Sequence, residues 1–104
     1  MLDRLILLET NIKNLKNLKI LFEKNPDLLN EKIYDWSLRY GLLESIQIII
    51  DIACSVTSKY NLGNPKSYSE CIELLIEFNH LEKKLGQKVI SMIGLRNLLA
   101  DEYL

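Results

Sequence analysis

The chain has 104 residues, enough for one domain with a real core, and a formal net charge of −1, so any nucleic-acid contact must come from a local patch rather than a bulk positive field. With 48% apolar and 26% charged residues it belongs to the ordinary globular class and not to the disordered or collagen-like classes. Two cysteines, Cys54 and Cys71, without a secretory signal do not make a disulfide framework, and reduced buried thiols in a cytoplasmic protein are the expectation.

The opening Met-Leu-Asp-Arg-Leu-Ile-Leu-Leu-Glu carries acidic residues and runs straight into an amphipathic pattern, unlike a signal peptide. From Leu2 to Phe22, apolar residues fall at Leu5, Leu8, Ile12, Leu15, Leu18 and Phe22, which is the spacing of one helix face. Lys13, Lys16 and Lys19 make a basic edge along it, more simply a solvated face than an RNA track. Asn25-Pro26-Asp27 stops the helix, because proline disfavours helical geometry in the residue before it.

A second helix is expected after Asp27 or Asn30, either of which can cap it, running to about Tyr60. Its predicted apolar stripe is Ile33, Trp36, Tyr40, Leu43, Gln47, Ile50 and Cys54, with Gly41 leaving room for a close neighbour. The longest apolar run, Ile48-Ile49-Ile50, is cut by Asp51, so no membrane span is expected. Gly63 and Pro65 read as the stop.

Ser67-Tyr68-Ser69-Glu70 fits a capping box and starts a short third helix, with Cys71, Leu74, Leu75 and Phe78 on its apolar face. Asn79-His80 ends it, and Leu81 opens the last helix. His80 is the only histidine, which excludes a two-histidine metal site and leaves one candidate for any histidine-based triad; at a helix boundary it reads as a solvent-facing or capping residue. No segment has strand alternation, so the fold class is all-α, an up-and-down four-helix bundle with the second and fourth helices as the core pair.

The last helix holds the anomaly. Leu85, Val89, Met92, Arg96, Leu99 and Tyr103 form one stripe, and Arg96 interrupts it. A guanidinium there must snorkel out, meet an anion or line an interface. A second face carries Gly86, Gly94, Asn97 and Asp101, and its glycines would admit another helix. Arg96 and Asp101, five residues apart, diverge by about 140° on a straight helix. Both can meet one phosphate only if the last turn unwinds or a second copy completes the site, and a two-fold homodimer supplies that copy.

Arg96-Asn97, Leu98-Leu99-Ala100 and Asp101-Glu102-Tyr103 resemble the Arg-x4-His-x-Tyr signature of HepT toxins, a branch of the HEPN superfamily of small helical ribonucleases. One defining residue departs: Asp101 stands at the histidine position. Trp36 through Leu42, Ile50-Asp51-Ile52-Ala53, and Leu62-Gly63, Pro65 and Ser67-Tyr68 are similar to HepT segments in order and spacing. The resemblance implies a single HEPN-like domain over 1–104, shortened after the motif, and a dimer with a composite cleft.

It also implies an endoribonuclease toxin of a toxin–antitoxin pair that needs no metal or cofactor: the ribose 2′-hydroxyl attacks the adjacent phosphate. Arg96 would hold phosphoryl charge, Asn97 would be an accessory donor, and position 101 would move protons. An MntA-like nucleotidyltransferase antitoxin would silence it by adenylylating Tyr103. Aspartate is anionic at neutral pH, has no proton to give and repels phosphate, so this chain is expected to cleave RNA poorly or not at all. The alternative is a non-catalytic helical dimerisation module that docks a nucleotidyltransferase.

Overall fold

The computed structural model describes residues 1–103, with side chains described through Asp101. Four α-helices are present, α1 (Leu2–Lys24), α2 (Lys32–Lys59), α3 (Tyr68–Glu77) and α4 (Lys83–Tyr103), with a 3-10 turn at Pro26–Asn30 and no strand among the described residues. The all-α expectation therefore holds. The backbone groups into two compact units, Met1–Ile48 and Ile49–Leu104.

In the first unit, α1 ends where the proline predicts. Asn25 N–H reaches Leu21 O at 2.9 Å, and Pro26 opens the 3-10 turn. Asp27 and Asn30 sit inside that turn rather than capping α2, whose first turn instead uses the Glu31 carbonyl to accept from Tyr34 and Asp35 N–H at 3.1 Å. Leu8, Asn11, Leu15, Leu18 and Phe22 form the protected face of α1, and none is fully buried. Ile12, expected on that face, is exposed. Asn11 takes the inward position because its amide has a partner there, the Glu44 carboxylate at 2.8 Å. Gly41 does receive a close neighbour: a Cβ on it would lie 3.2 Å from Leu15 Cδ2.

The stripe expected on α2 fails at its N-terminal end. Ile33, Trp36 and Tyr40 are all more than half exposed, whereas Ser45, Ile46, Ile48, Ile50, Ala53 and Thr57 are buried. The core register thus runs through Ile46, Ile50, Ala53 and Thr57, helical steps the run of isoleucines concealed. By length and composition α2 is also long and apolar enough to cross a membrane, contrary to expectation. The core helix of a soluble protein meets the same criterion.

In the second unit, α2 ends on Asn61 rather than on Gly63: Asn61 has φ 51°, and Leu62 N–H returns to Thr57 O at 3.1 Å. The same closure ends α3, with Asn79 at φ 62° and His80 N–H on Leu75 O at 2.8 Å. Asparagine tolerates left-handed geometry, so both helices stop without glycine. Ser67 caps α3 as its capping box predicts, accepting from Glu70 N–H at 3.2 Å, while the Glu70 carboxylate accepts from Lys66 N–H at 2.6 Å.

Cys71, Ile72 and Leu75 are buried on α3, while Phe78, expected among them, is half exposed. Cys54 and Cys71 are paired as a disulfide, correcting the expectation of reduced thiols; their Cα atoms stand 5.2 Å apart, within bridging reach. Gly86 lets α3 and α4 close together, since a Cβ there would fall 2.6 Å from Ile76 Cγ1; Gly94 faces open space.

Candidate functional site

α4 remains helical through Tyr103, so the last turn does not unwind to bring Arg96 and Asp101 together. Along its stripe Val89 and Leu99 are buried and Met92 and Arg96 half-buried, whereas Leu85, expected to begin it, is half exposed. What receives the guanidinium is an aromatic ring: Arg96 Cζ lies over Tyr68 of α3, 5.8 Å from the ring centroid. Such a stack satisfies a cation on an otherwise apolar face. Arg96 Nη1 also donates to Asn97 Oδ1 at 3.2 Å, making the two adjacent side chains one polar unit.

Asn97 lines an open pocket of about 530 Å³, together with Ile93, the Cys54–Cys71 disulfide, and Pro65, Lys66, Ser67, Tyr68 and Ser69 of the segment entering α3. None of the described lining residues is acidic, and they bring one ammonium, three hydroxyls and one carboxamide. A cation and amide beside such a pocket can hold an anion. Nothing in this set is suited to shuttle a proton near neutrality.

Asp101 is exposed and, on this continuous helix, diverges from Arg96 by about 140°. The side chain of Tyr103, the expected modification site, lies outside the described residues. His80 is stacked on Tyr60 with ring centroids 5.2 Å apart. Among the described residues, no three His, Cys, Asp or Glu side chains come together as metal ligands.

Of the residues the sequence singles out, the structure joins Arg96 and Asn97 and holds Asp101 apart from Arg96. The pocket went unread. Its available signal was a Pro-Lys-Ser-Tyr-Ser run at a helix entrance, read as a helix stop, a capping device and a segment similar to HepT proteins, not as a pocket wall.

The family model of the HepT-like ribonucleases, "Ribonuclease HepT-like", matches residues 8–104. The chain belongs to that family. Comparison with curated proteins gives no match for this HepT-like chain. Among solved structures it is similar to a tri-AMPylated Shewanella oneidensis HEPN toxin in complex with an MNT antitoxin, at 25% identity and a TM-score of 0.79, over 100% of this chain and 79% of that one. It is also similar to a chain of a variant MntA–HpeT toxin–antitoxin pair, at 25% identity and a TM-score of 0.76, over 92% and 76% of the two chains. A toxin–antitoxin structure with AMP-PNP shares the fold at 24% identity and a TM-score of 0.78, over 94% and 75%.

Proposed function

We propose that this HepT-like chain is the toxin of a toxin–antitoxin pair, a cytoplasmic HEPN-type endoribonuclease impaired by Asp101. The observation that carries the reading is Arg96. It stands where the resemblance to the HepT signature puts the arginine, sits within the apolar stripe of α4, and is held on Tyr68 and bonded to Asn97 beside a pocket whose described lining carries no carboxylate.

In the parent chemistry the 2′-hydroxyl attacks the adjacent phosphorus, the new P–O2′ bond forms, and the bond to the 5′-oxygen of the next nucleotide breaks. Arg96 with Asn97 would stabilise the charge growing on the phosphoryl oxygens, and no metal ion is required. The proton leaving the 2′-hydroxyl and the proton reaching the leaving oxygen need a group that titrates near neutrality. Histidine at position 101 would serve; aspartate does not.

Divergence of Arg96 and Asp101 on a continuous α4 supports a two-fold homodimer, in which each copy supplies the position-101 side chain to a shared cleft. The AMPylated toxin and the MntA pairs among similar structures support an MntA-like nucleotidyltransferase partner. The Tyr103 hydroxyl would take AMP from ATP with release of pyrophosphate, and the added anion beside the cleft would repel RNA.

The deciding experiment restores the signature. Asp101→His is expected to raise RNA cleavage by the purified protein about 100-fold or more and to arrest growth on expression. The alternative, a non-catalytic dimerisation module docking a nucleotidyltransferase, draws on the exposed Asp101 at the histidine position. It becomes the better reading if the folded Asp101→His protein neither cleaves RNA nor slows growth while the dimer and the nucleotidyltransferase complex form.

A further inference from the structure

We infer that the pocket between the α3 entrance and α4 is a nucleotide subsite, with Tyr68 the platform for a base of single-stranded RNA next to the phosphate held by Arg96. The inference rests on the ribonuclease reading and adds to it the form of the substrate and the residue that positions it.

Size and lining point the same way. A volume of about 530 Å³ accommodates one nucleotide, and the pocket is open rather than closed over, as a continuous strand requires. Tyr68 is the only aromatic among its described lining residues and is 41% exposed, so ring area remains for a second planar partner beyond the Arg96 contact. Lys66, Ser67, Ser69 and Asn97 supply hydrogen-bond donors for ribose and phosphate oxygens, and no carboxylate among the described lining residues opposes a polyanion.

Geometry also selects the strand state. A paired base is already stacked on its neighbours within a duplex; only an unstacked base can enter a side pocket and lie on a phenol ring. Because Tyr68 also holds the guanidinium, it would set the distance between the bound base and Arg96, making it a positioning residue.

A test uses the full-length protein and a short single-stranded oligouridylate carrying one 2-aminopurine, whose fluorescence is quenched on stacking. The expected result is quenching on binding. Tyr68→Phe should preserve it, whereas Tyr68→Leu should abolish it and weaken affinity about 5- to 100-fold. Melting followed by circular dichroism checks that each variant folds. To separate stacking from an indirect effect through Arg96, Tyr68→Leu is repeated in an Arg96→Gln background; a further loss of affinity and quenching supports the platform.

Unchanged affinity and quenching in folded Tyr68→Leu, with binding lost in Arg96→Gln, overturns the subsite and leaves the ribonuclease reading standing. The subsite also falls if a matching duplex binds and quenches as well as the single strand. Absence of RNA binding by the parent chain and by Asp101→His, with no cleavage by the latter, removes both.

Discussion

The two compact units were equally legible as helical patterns yet differ in what they bury. In Met1–Ile48, α1 has no buried residue, Leu2, Ile6, Ile33, Trp36 and Tyr40 remain largely exposed, and the buried residues are Ser45, Ile46 and Ile48 at its C-terminal edge. In Ile49–Leu104, three helical segments contribute Ile50, Ala53, Cys71, Ile72, Leu75, Val89, Ile93, Leu99 and Ala100 to the interior, and a disulfide joins two of them. Every candidate site residue belongs to the second unit. The pocket lined by Asn97, with Arg96 beside it, is thus built on the segments whose side chains are locked by packing.

The largest effect should come from the interior of the second unit. Ile72, 1% exposed, leaves a cavity when cut to alanine, and Ile72→Ala is expected to cost about 3–4 kcal/mol in a denaturant titration. Leu15→Ala, on the half-buried face of α1, is expected to cost only about 1 kcal/mol. Equal losses would erase the contrast between the units.

Breaking the staple comes next. Cys54 and Cys71 are 17 residues apart, and Cys71→Ser, or reduction of the parent protein, should remove about 3 kcal/mol of stability. A reducing agent that lowers the melting temperature of the parent but leaves Cys71→Ser unchanged would confirm that the bridge forms in solution.

The smallest effect belongs to the first unit's polar network. Tyr40 donates to Glu44 at 2.9 Å, and this hydrogen bond, followed by the carboxylate's charge, raises the phenol above its ordinary value of 10.0. Since the folded-state value is raised, the associated stability is present in full below pH 10.0 and is lost as pH climbs through the folded value. Glu44→Gln should bring the Tyr40 midpoint down toward 10.0, read by NMR titration of the labelled ring, with little change in melting temperature near neutrality.

How much of this could be read from sequence depended on whether a residue's role is local. The stop at Pro26, the Ser67 cap and the helical spacing that places Arg96 are set within a few residues, and all three hold. The helix stop that was misplaced turned on a subtlety of the same scale, since Asn61 adopts the left-handed conformation that Gly63 seemed made for.

The α2 register, the cysteine pairing and the Tyr68 ring beneath Arg96 depend on what another segment brings, and periodicity carries no information about that. Within Ile46 to Ile50, apolar residues are so dense that several stripes compete, and only the neighbours choose among them. Of the candidate site, the two residues that are sequence neighbours were found together; the pocket was missed because its walls come from residues more than 40 positions apart, Cys54 and Asn97.

Thr57 has no exposed surface, and its hydroxyl lies 3.0 Å from Ala53 O and 3.2 Å from Cys71 O. One hydroxyl proton is shared between the two carbonyls, so the contact to Cys71 O is a weak, non-covalent second link between the segments that the sulfur bridge joins. Loss of the covalent bond would leave that shared hydrogen bond between the two walls of the pocket. Oxidising and reducing surroundings would then differ first in how long this wall survives.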